Sequence, residues 1–231
     1  MHVSLLLFDQ VDLLDVGGPY EVFLTANRLA VREGRVAPFE VDTVSLDGAP
    51  VSSHGGMGLV PTASADVLDS TDLLVVPGAI ALDDVRADAA LIEAVRRSGR
   101  RKGVTTTSVC TGAFLLHDAG LLVGRPWTTH WEDVGLLADE ASEDGARRGV
   151  RWVDDGAVVT GGALSSGIAM AVAPRRAIRR TATGRADRPP DGPRVDGDLR
   201  GHRLIRRRGA ADRAPRCGRG CPASPAGSSP R

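Results

Sequence analysis

Residues 104–116 have the sequence VTTTSVCTGAFLL, in which a β-branched run meets Cys110 and changes at once to a helical apolar pattern. Gly112 follows two residues later and allows the backbone to pack closely at the turn. A strand that carries a nucleophile into a sharp strand-to-helix turn is a nucleophile elbow. The helix N-terminus contributes unpaired N–H groups and a positive dipole end, both of which favour thiolate over thiol. We therefore predict that Cys110 is the working residue, against the alternative of an inert core cysteine.

Outward from this segment, short apolar runs alternate with longer amphipathic ones as far as about residue 170. Residues 73–76 and 104–109 are apolar or β-branched throughout, which is typical of strands covered on both faces. Such alternation indicates crossover units on a parallel sheet, and therefore an α/β fold. The predicted strands are 3–7, 39–45, 72–76, 104–108 and 157–160. The predicted helices are 19–32 and 83–98, and the second of them is expected to be capped by Asp83 or Asp84 and to stop at Gly99. Residues 51–65 are predicted to form a small hairpin.

The composition excludes several classes of protein. A chain of 231 residues suits one well-buried domain with an extension. It has no run of about twenty apolar residues to span a bilayer, and its first residues lack the basic region and cleavage site of a signal peptide. Its 3 cysteines, one alone and the others near the C-terminus, make no disulfide framework. We therefore predict a cytoplasmic protein.

Charge is divided unevenly along a chain whose formal net charge is zero. Residues 171–231 contain 16 Arg, no Lys and 5 Asp, so this part is strongly basic and residues 1–170 are correspondingly acidic. We predict a domain at 1–170 and an Arg/Pro/Gly-rich tail at 171–231. The tail is open to three interpretations: a disordered segment, a basic arm for nucleic acid or membrane, and the product of a shifted reading frame. We favour the shifted frame, which resequencing the gene would test.

Three separated motifs carry a resemblance to a known family. They are LLDVGGPYEVF at 13–23, SVCTG at 108–112 and TTHW at 128–131. Together they resemble the DJ-1/PfpI superfamily, and within it isonitrile hydratases and the sensor domains of AraC-type transcription regulators. The likeness extends from residue 1 to about residue 170. It implies a flavodoxin-like, three-layer α/β/α sandwich with a mostly parallel sheet, and a homodimer.

The resemblance also implies roles for two side chains beside Cys110. Asp15 matches the carboxylate that lies against the cysteine sulfur, and it can act as acid and base if burial raises its pKa toward neutrality. The alternative for Asp15 is a solvated loop carboxylate or a helix cap. Thr111 matches the residue after the cysteine in isonitrile hydratases, where its hydroxyl can bind substrate or water. PfpI-type peptidases resemble one another in a histidine there, so Thr111 argues against a protease; its alternative is a threonine suited to the first helical turn.

Further residues are implied to bind the substrate. The turn at Gly78 and Ala79 would offer backbone N–H groups to a developing negative charge. Family members have glycine where Ala79 stands, and a left-handed φ at this position would make alanine unfavourable by about 1 kcal/mol. His130 corresponds to a histidine near the thiol, with a packing role as the alternative. Trp127 and Trp131 are expected in a pocket wall or the core.

Two functions stay open at this level, besides an inactive truncated product. The first is a cysteine-dependent small-molecule hydratase resembling isonitrile hydratase, with Cys110 as nucleophile and Asp15 as acid and base; no cofactor is expected, because the thiolate supplies covalent catalysis. The second is the ligand-sensing domain of an AraC-type regulator, with nucleic acid as a partner only if a DNA-binding half is encoded downstream. The sequence has no Walker A or dinucleotide fingerprint, and its one metal-like spacing, Cys217 and Cys221, falls in the tail.

Overall fold

The predicted strands assemble into one sheet. The structure is a computed structural model that describes residues 1–162, so the predicted boundary at 170 and the tail 171–231 lie outside it. The strands are β1 His2–Leu6, β2 Glu40–Ser45, β3 Val51–Ser52, β4 Gly58–Leu59, β5 Ala63–Ser64, β6 Leu73–Val76, β7 Thr105–Ser108, β8 Trp152–Asp154 and β9 Val158–Gly161, and the helices are α1 Leu13–Arg32, α2 Leu82–Arg86, α3 Ala89–Gly99, α4 Gly112–Asp118 and α5 Val134–Ala141.

Seven strands form the sheet in the order β5-β2-β1-β6-β7-β9-β8. All its pairs are parallel except that of β8 with β9. Parallel neighbours need crossover connections, which the helices supply. The predicted α/β class with a mostly parallel sheet is confirmed, and each of the five predicted strands lies within one residue of its expected bounds. The carboxyl ends of β1, β6 and β7 are neighbours, so the segments that follow them come together.

Helix α1 begins at Leu13, six residues before the predicted start at Pro19. Asp12 caps it, because its side chain accepts a hydrogen bond from the Leu14 N–H at 3.2 Å. Pro19 therefore lies inside the helix, where it removes one backbone hydrogen bond. Val16 and Pro19 are both buried, so packing of this turn outweighs its poor helix propensity.

The helix predicted at 83–98 is divided into α2 and α3. The side chain of Asp88 accepts hydrogen bonds from the N–H groups of Ala90 and Leu91, both at 3.0 Å, and so begins a new helix. The expected caps Asp83 and Asp84 are wrong, because both lie within α2. An aspartate side chain can accept hydrogen bonds from nearby backbone N–H groups in place of the helical carbonyls. This explains why the break falls at Asp88. Gly99 is the last residue of α3, so the predicted stop at Gly99 is within one residue of the observed helix end.

The predicted hairpin exists, but it is shorter than 51–65. Strands β3 and β4 pair antiparallel as a separate ribbon, whereas β5 returns to the edge of the main sheet beside β2.

The core contains all of β6 and the side chain of Trp127, which is 1% exposed. Trp127 is therefore a core residue, as predicted, but Trp131 is 72% exposed and belongs neither to the core nor to a closed pocket wall. Among residues 1–162, no helix combines the length and the apolar character needed to cross a membrane.

Candidate active site

Cys110 occupies the turn between β7 and α4, as the elbow prediction requires. Its φ of 54° lies in the left-handed region that L-residues rarely adopt. Two hydrogen bonds hold this backbone: the Cys110 N–H donates to the Gly161 carbonyl at 3.1 Å, and the Thr129 hydroxyl donates to the Cys110 carbonyl at 2.9 Å. The residue is 8% exposed. The thiol is thus presented by a strained, well-anchored turn.

Gly112 allows this turn to approach the end of β6. A Cβ atom at Gly112 would lie 2.4 Å from the Val76 carbonyl oxygen and 2.8 Å from that of Pro77. Both contacts are with backbone, which cannot move aside as the end of a flexible side chain can. The glycine after the cysteine is therefore a packing requirement, as the sequence indicated.

Asp15 lies in the first turn of α1 and is fully buried. Its Oδ2 accepts a hydrogen bond from the Gly78 N–H at 3.0 Å, while its Oδ1 has no hydrogen-bond partner among the described residues. Burial raises the pKa of Asp15 to about 7; the Gly78 N–H opposes this rise, and the charge of Asp12 adds to it. Asp15 is therefore neither a solvated carboxylate nor the cap of α1.

Gly78 is the point at which three segments of the chain meet. Its carbonyl accepts a hydrogen bond from the Asp12 N–H at 2.9 Å. A Cβ atom there would lie 2.8 Å from Asp15 Oδ2, 2.6 Å from Thr111 Oγ1 and 2.9 Å from the Thr111 nitrogen. The turn after β6 thus packs between the start of α1 and the cysteine elbow, and it brings Asp15 to the residues beside Cys110.

The Thr111 hydroxyl is bound to the same turn. It accepts from the Ala79 N–H at 2.9 Å and donates to the Ala79 carbonyl at 2.9 Å. The amides of Gly78 and Ala79, expected to face a substrate, therefore donate to the side chains of Asp15 and Thr111. In the described chain the non-glycine residues with positive φ are Gln10, Cys110 and Ser142, so the strain considered for Ala79 does not arise.

The surroundings of Cys110 favour the neutral thiol. Burial raises the pKa of Cys110 to about 12, and the charge of Asp15 also raises it. The Thr111 N–H lowers the pKa, in the direction expected for a helix N-terminus, but the effect of burial is larger. The expectation of a resting thiolate is therefore not supported.

His130 is close to the elbow through its neighbour Thr129, whose hydroxyl binds the Cys110 carbonyl. The His130 side chain is 24% exposed, and its Nδ1 lies 3.3 Å from Asp133 Oδ2 and 3.8 Å from Glu132 Oε2. Sequence reasoning selected His130 but missed Thr129 and Asp133. A carboxylate three residues after the histidine was the available signal for Asp133, whereas nothing local indicated the contact of Thr129.

Two other features lie apart from the thiol. His117, Asp118 and Glu140 could offer ligand atoms within 4.8 Å of one another, but the Arg86 guanidinium pairs with Asp118 at 2.7 Å and with Glu140 at 2.5 Å. A cavity of about 400 Å³ opens beyond β1 and β2, and its lining includes neither Asp15 nor Cys110. Neither feature takes part in the site described above.

We expect Asp15→Asn to make Cys110 alkylation occur at lower pH. Removing the carboxylate charge removes one cause of the raised thiol pKa. The rate of iodoacetamide labelling at each pH from 6 to 11, followed by mass spectrometry of the labelled peptide, measures how readily the thiol ionises. Asp12→Asn is the matched control, because Asp12 has a smaller effect on the same thiol and asparagine caps a helix equally well. An unchanged labelling profile in Asp15→Asn would contradict the influence of the Asp15 charge on the thiol.

The sheet and the elbow define an α/β protein with a buried cysteine and a buried carboxyl group. Residues 1–174 match the DJ-1/PfpI family, and the chain belongs to that family. The resemblance stated from the three motifs is therefore confirmed.

Known proteins from several functional groups are similar to the chain. It is 42% identical over 137 residues to an uncharacterized protein in the cpoL 5' region of Streptomyces lividans, covering 59% of this chain and 92% of that one. It is 33% identical over 172 residues to isonitrile hydratase of Pseudomonas putida, covering 74% of this chain and 69% of the enzyme. It is 33% identical over 139 residues to the HTH-type transcriptional regulator GbdR of Pseudomonas aeruginosa, covering 59% of this chain. The chain matches only 36% of the regulator's length.

Solved structures agree on the fold. An AraC family transcriptional regulator from Pseudomonas putida superposes with a TM-score of 0.64 at 24% identity, over 76% of this chain and 91% of that one. DJ-1 from Schizosaccharomyces pombe superposes with a TM-score of 0.62 at 14% identity, over 77% and 92% of the two chains. The predicted flavodoxin-like α/β fold is confirmed.

Proposed function

We propose that the protein is a cysteine-dependent hydratase that converts isonitriles to N-substituted formamides, with Cys110 as nucleophile and Asp15 as acid and base. The observation that carries this proposal is the buried Asp15 carboxyl, which has one oxygen without a hydrogen-bond partner within residues 1–162 and a pKa of about 7. The 33% identity to isonitrile hydratase over 172 residues supports the substrate class.

The first step requires one proton to move from sulfur to carbon. A carboxyl with a pKa near 7 is present in both forms at neutral pH, so it can accept a proton and return it within one cycle. Ionised Asp15 takes the proton from the Cys110 thiol as the sulfur bonds to the terminal carbon of the isonitrile. Asp15 then gives that proton to the same carbon. The product is a neutral thioimidate on Cys110. Asp15 is ionised again, as it was at the start.

The second step releases the product. Water adds to the thioimidate carbon, the carbon–sulfur bond breaks, one water proton ends on the substrate nitrogen and the other returns to sulfur. Within this scheme Gly78 orients Asp15, and Thr111 and Ala79 fix the turn that presents the thiol. Thr111 is thus a positioning residue unless the substrate displaces its bond to Ala79.

Conversion of benzyl isonitrile to N-benzylformamide tests this proposal. We expect turnover by the wild type and its loss in Cys110→Ser, because the less acidic hydroxyl is a poor nucleophile in a site that already disfavours deprotonation. Asp15→Asn should reduce the rate by at least about 100-fold, since it removes general acid and base catalysis. Formamide production by Cys110→Ser at the wild-type rate would overturn the proposed role of the thiol.

The second candidate function is the ligand-sensing domain of an AraC-type regulator. The similarity to GbdR supports it, as does a resting thiol that is buried and protonated. A sensor would bind its ligand without consuming it. Calorimetric binding of a compound that persists unchanged after long incubation would favour the sensor over the hydratase. The homodimer and the cytoplasmic location stay predictions, of which sedimentation equilibrium tests the first.

A further inference from the structure

A cavity separate from the thiol opens at the carboxyl edge of the sheet. Its volume is about 400 Å³, and its walls are the ends of β1 and β2, the segments that follow them, and parts of α2 and α3. Small-molecule sites are commonly about 300–1,000 Å³ in volume, and in open α/β sheets ligands bind outside the carboxyl ends of the strands. The size and the position of this cavity are therefore those of a ligand site.

Part of the cavity lining is apolar and buried. It includes Leu7 and Phe8 after β1, Val85 in α2 and Leu91 in α3. These residues belong to the hydrophobic core, so the cavity gives access to one edge of that core. A hydrocarbon chain laid against this edge would leave water, and the removal of apolar surface from water favours binding. The lining therefore suits a ligand with an aliphatic body.

The exposed part of the lining carries negative charge. Four exposed aspartates belong to it, namely Asp9, Asp47, Asp84 and Asp88. In Asp9, Asp47 and Asp88 one oxygen accepts backbone N–H groups at 2.8–3.0 Å, which fixes the carboxylate. The other oxygen of each has no hydrogen-bond partner within residues 1–162. No lining residue in this part of the chain is basic, so the cavity offers fixed, unneutralised acceptor oxygens to a ligand.

We infer that this cavity is a second ligand site and that it binds an aliphatic diamine. The ammonium groups donate charge-assisted hydrogen bonds to the aspartate oxygens, while the methylene chain packs on the apolar lining. One exposed ion pair contributes little by itself, so binding needs both parts of the ligand. A small metal ion would use the carboxylates but leave the apolar lining in water. The site is independent of the proposed hydratase, because neither Cys110 nor Asp15 lines it.

Asp84 is the aspartate best suited to a test, and its neighbour Asp83 is the matched control. Both are exposed residues in the first turn of α2, and neither side chain makes a hydrogen bond or ion pair within residues 1–162. Only Asp84 lines the cavity. Replacing either residue by asparagine therefore removes the same charge from the same helix without removing a bond from the fold.

Calorimetric titration with hexamethylenediamine tests the inference. The wild type should bind it saturably and more tightly than hexylamine, while hexanediol, which has the same chain without charge, should not bind. Asp84→Asn should weaken binding by about 5-fold, the effect of losing one exposed ion pair. Asp84→Lys should abolish binding, and Asp83→Asn should bind as the wild type does. Thermal unfolding of each variant checks that the fold is intact.

Several results would overturn the inference. If the wild type shows no saturable binding of the diamine, the cavity is not its site. If Asp83→Asn weakens binding as much as Asp84→Asn, the protein attracts the diamine through general surface charge. If magnesium chloride displaces the diamine where sodium chloride of equal ionic strength does not, the carboxylates form a metal site instead. A protein that binds the diamine but does not convert isonitriles would remove the proposed function and leave this site standing.

Discussion

Asp15→Asn stabilises the folded protein above pH 7. Burial raises the pKa of Asp15 from 3.8 to about 7, so between these values the folded chain holds a proton that the unfolded chain has lost. The raised pKa of Asp15 means that the folded state is more stable at low pH. This stabilisation is fully present below about pH 4 and is lost as the pH rises through 7. At about 1.4 kcal/mol per pH unit, the loss approaches about 4 kcal/mol. Asparagine cannot ionise, and its side-chain oxygen can still accept the Gly78 N–H.

Urea unfolding of the wild type and Asp15→Asn at pH 5 and pH 8.5 measures this effect. The difference in unfolding free energy between the two proteins should grow by about 3 kcal/mol from pH 5 to pH 8.5, in favour of the variant. Comparing the proteins at each pH cancels the contributions of all other titrating groups. Asp12→Asn is again the control, because Asp12, the N-cap of α1, is less buried than Asp15. A difference that stays constant from pH 5 to pH 8.5 would contradict the raised pKa.

Gly112→Ala destabilises the protein by about 3 kcal/mol or more and disrupts the elbow. The new methyl group would meet the Val76 carbonyl oxygen at 2.4 Å, and relief requires α4 and β6 to separate. Because the Cys110 turn leads directly into α4, we expect the proposed turnover to fall together with stability.

Gly17→Ala is the matched control for this prediction. Gly17 also lies in a helix, and a Cβ atom there would meet nothing within 4 Å. Alanine should therefore stabilise α1 by about 0.5–1 kcal/mol through its better helix propensity. Urea unfolding of both variants provides the comparison. Equal midpoints for Gly112→Ala and the wild type would show that the elbow relaxes more easily than its backbone contacts indicate.

The local parts of this site could be read from sequence, because they depend on residues that are close along the chain. The change from β-branched to helical pattern located Cys110 at its turn, and the five strands were found from apolar runs alone. The divided helix at Asp88 was missed because the same aspartate pattern also suits an earlier cap. Composition and spacing offered no way to choose between the caps.

The chemistry of the site was harder to predict because it depends on distant contacts. The bond from Gly78 to Asp15 joins residues 63 positions apart, and the bond from Ala79 to Thr111 joins residues 32 positions apart. These bonds use the amides and the hydroxyl that sequence reasoning had left free for a substrate. The thiol pKa was predicted in the wrong direction for a similar reason, since the dipole of a helix is visible in sequence but the depth of burial is not.

The left-handed backbone of Cys110 has a consequence for how this position is maintained by selection. Glycine adopts a φ of 54° without steric penalty, whereas a side chain there is unfavourable by about 1 kcal/mol. Selection for folding alone would therefore drive the position toward glycine. Under the proposed function the thiol is kept against that pressure for its reactivity, and a lineage that no longer needs the chemistry is free to lose it.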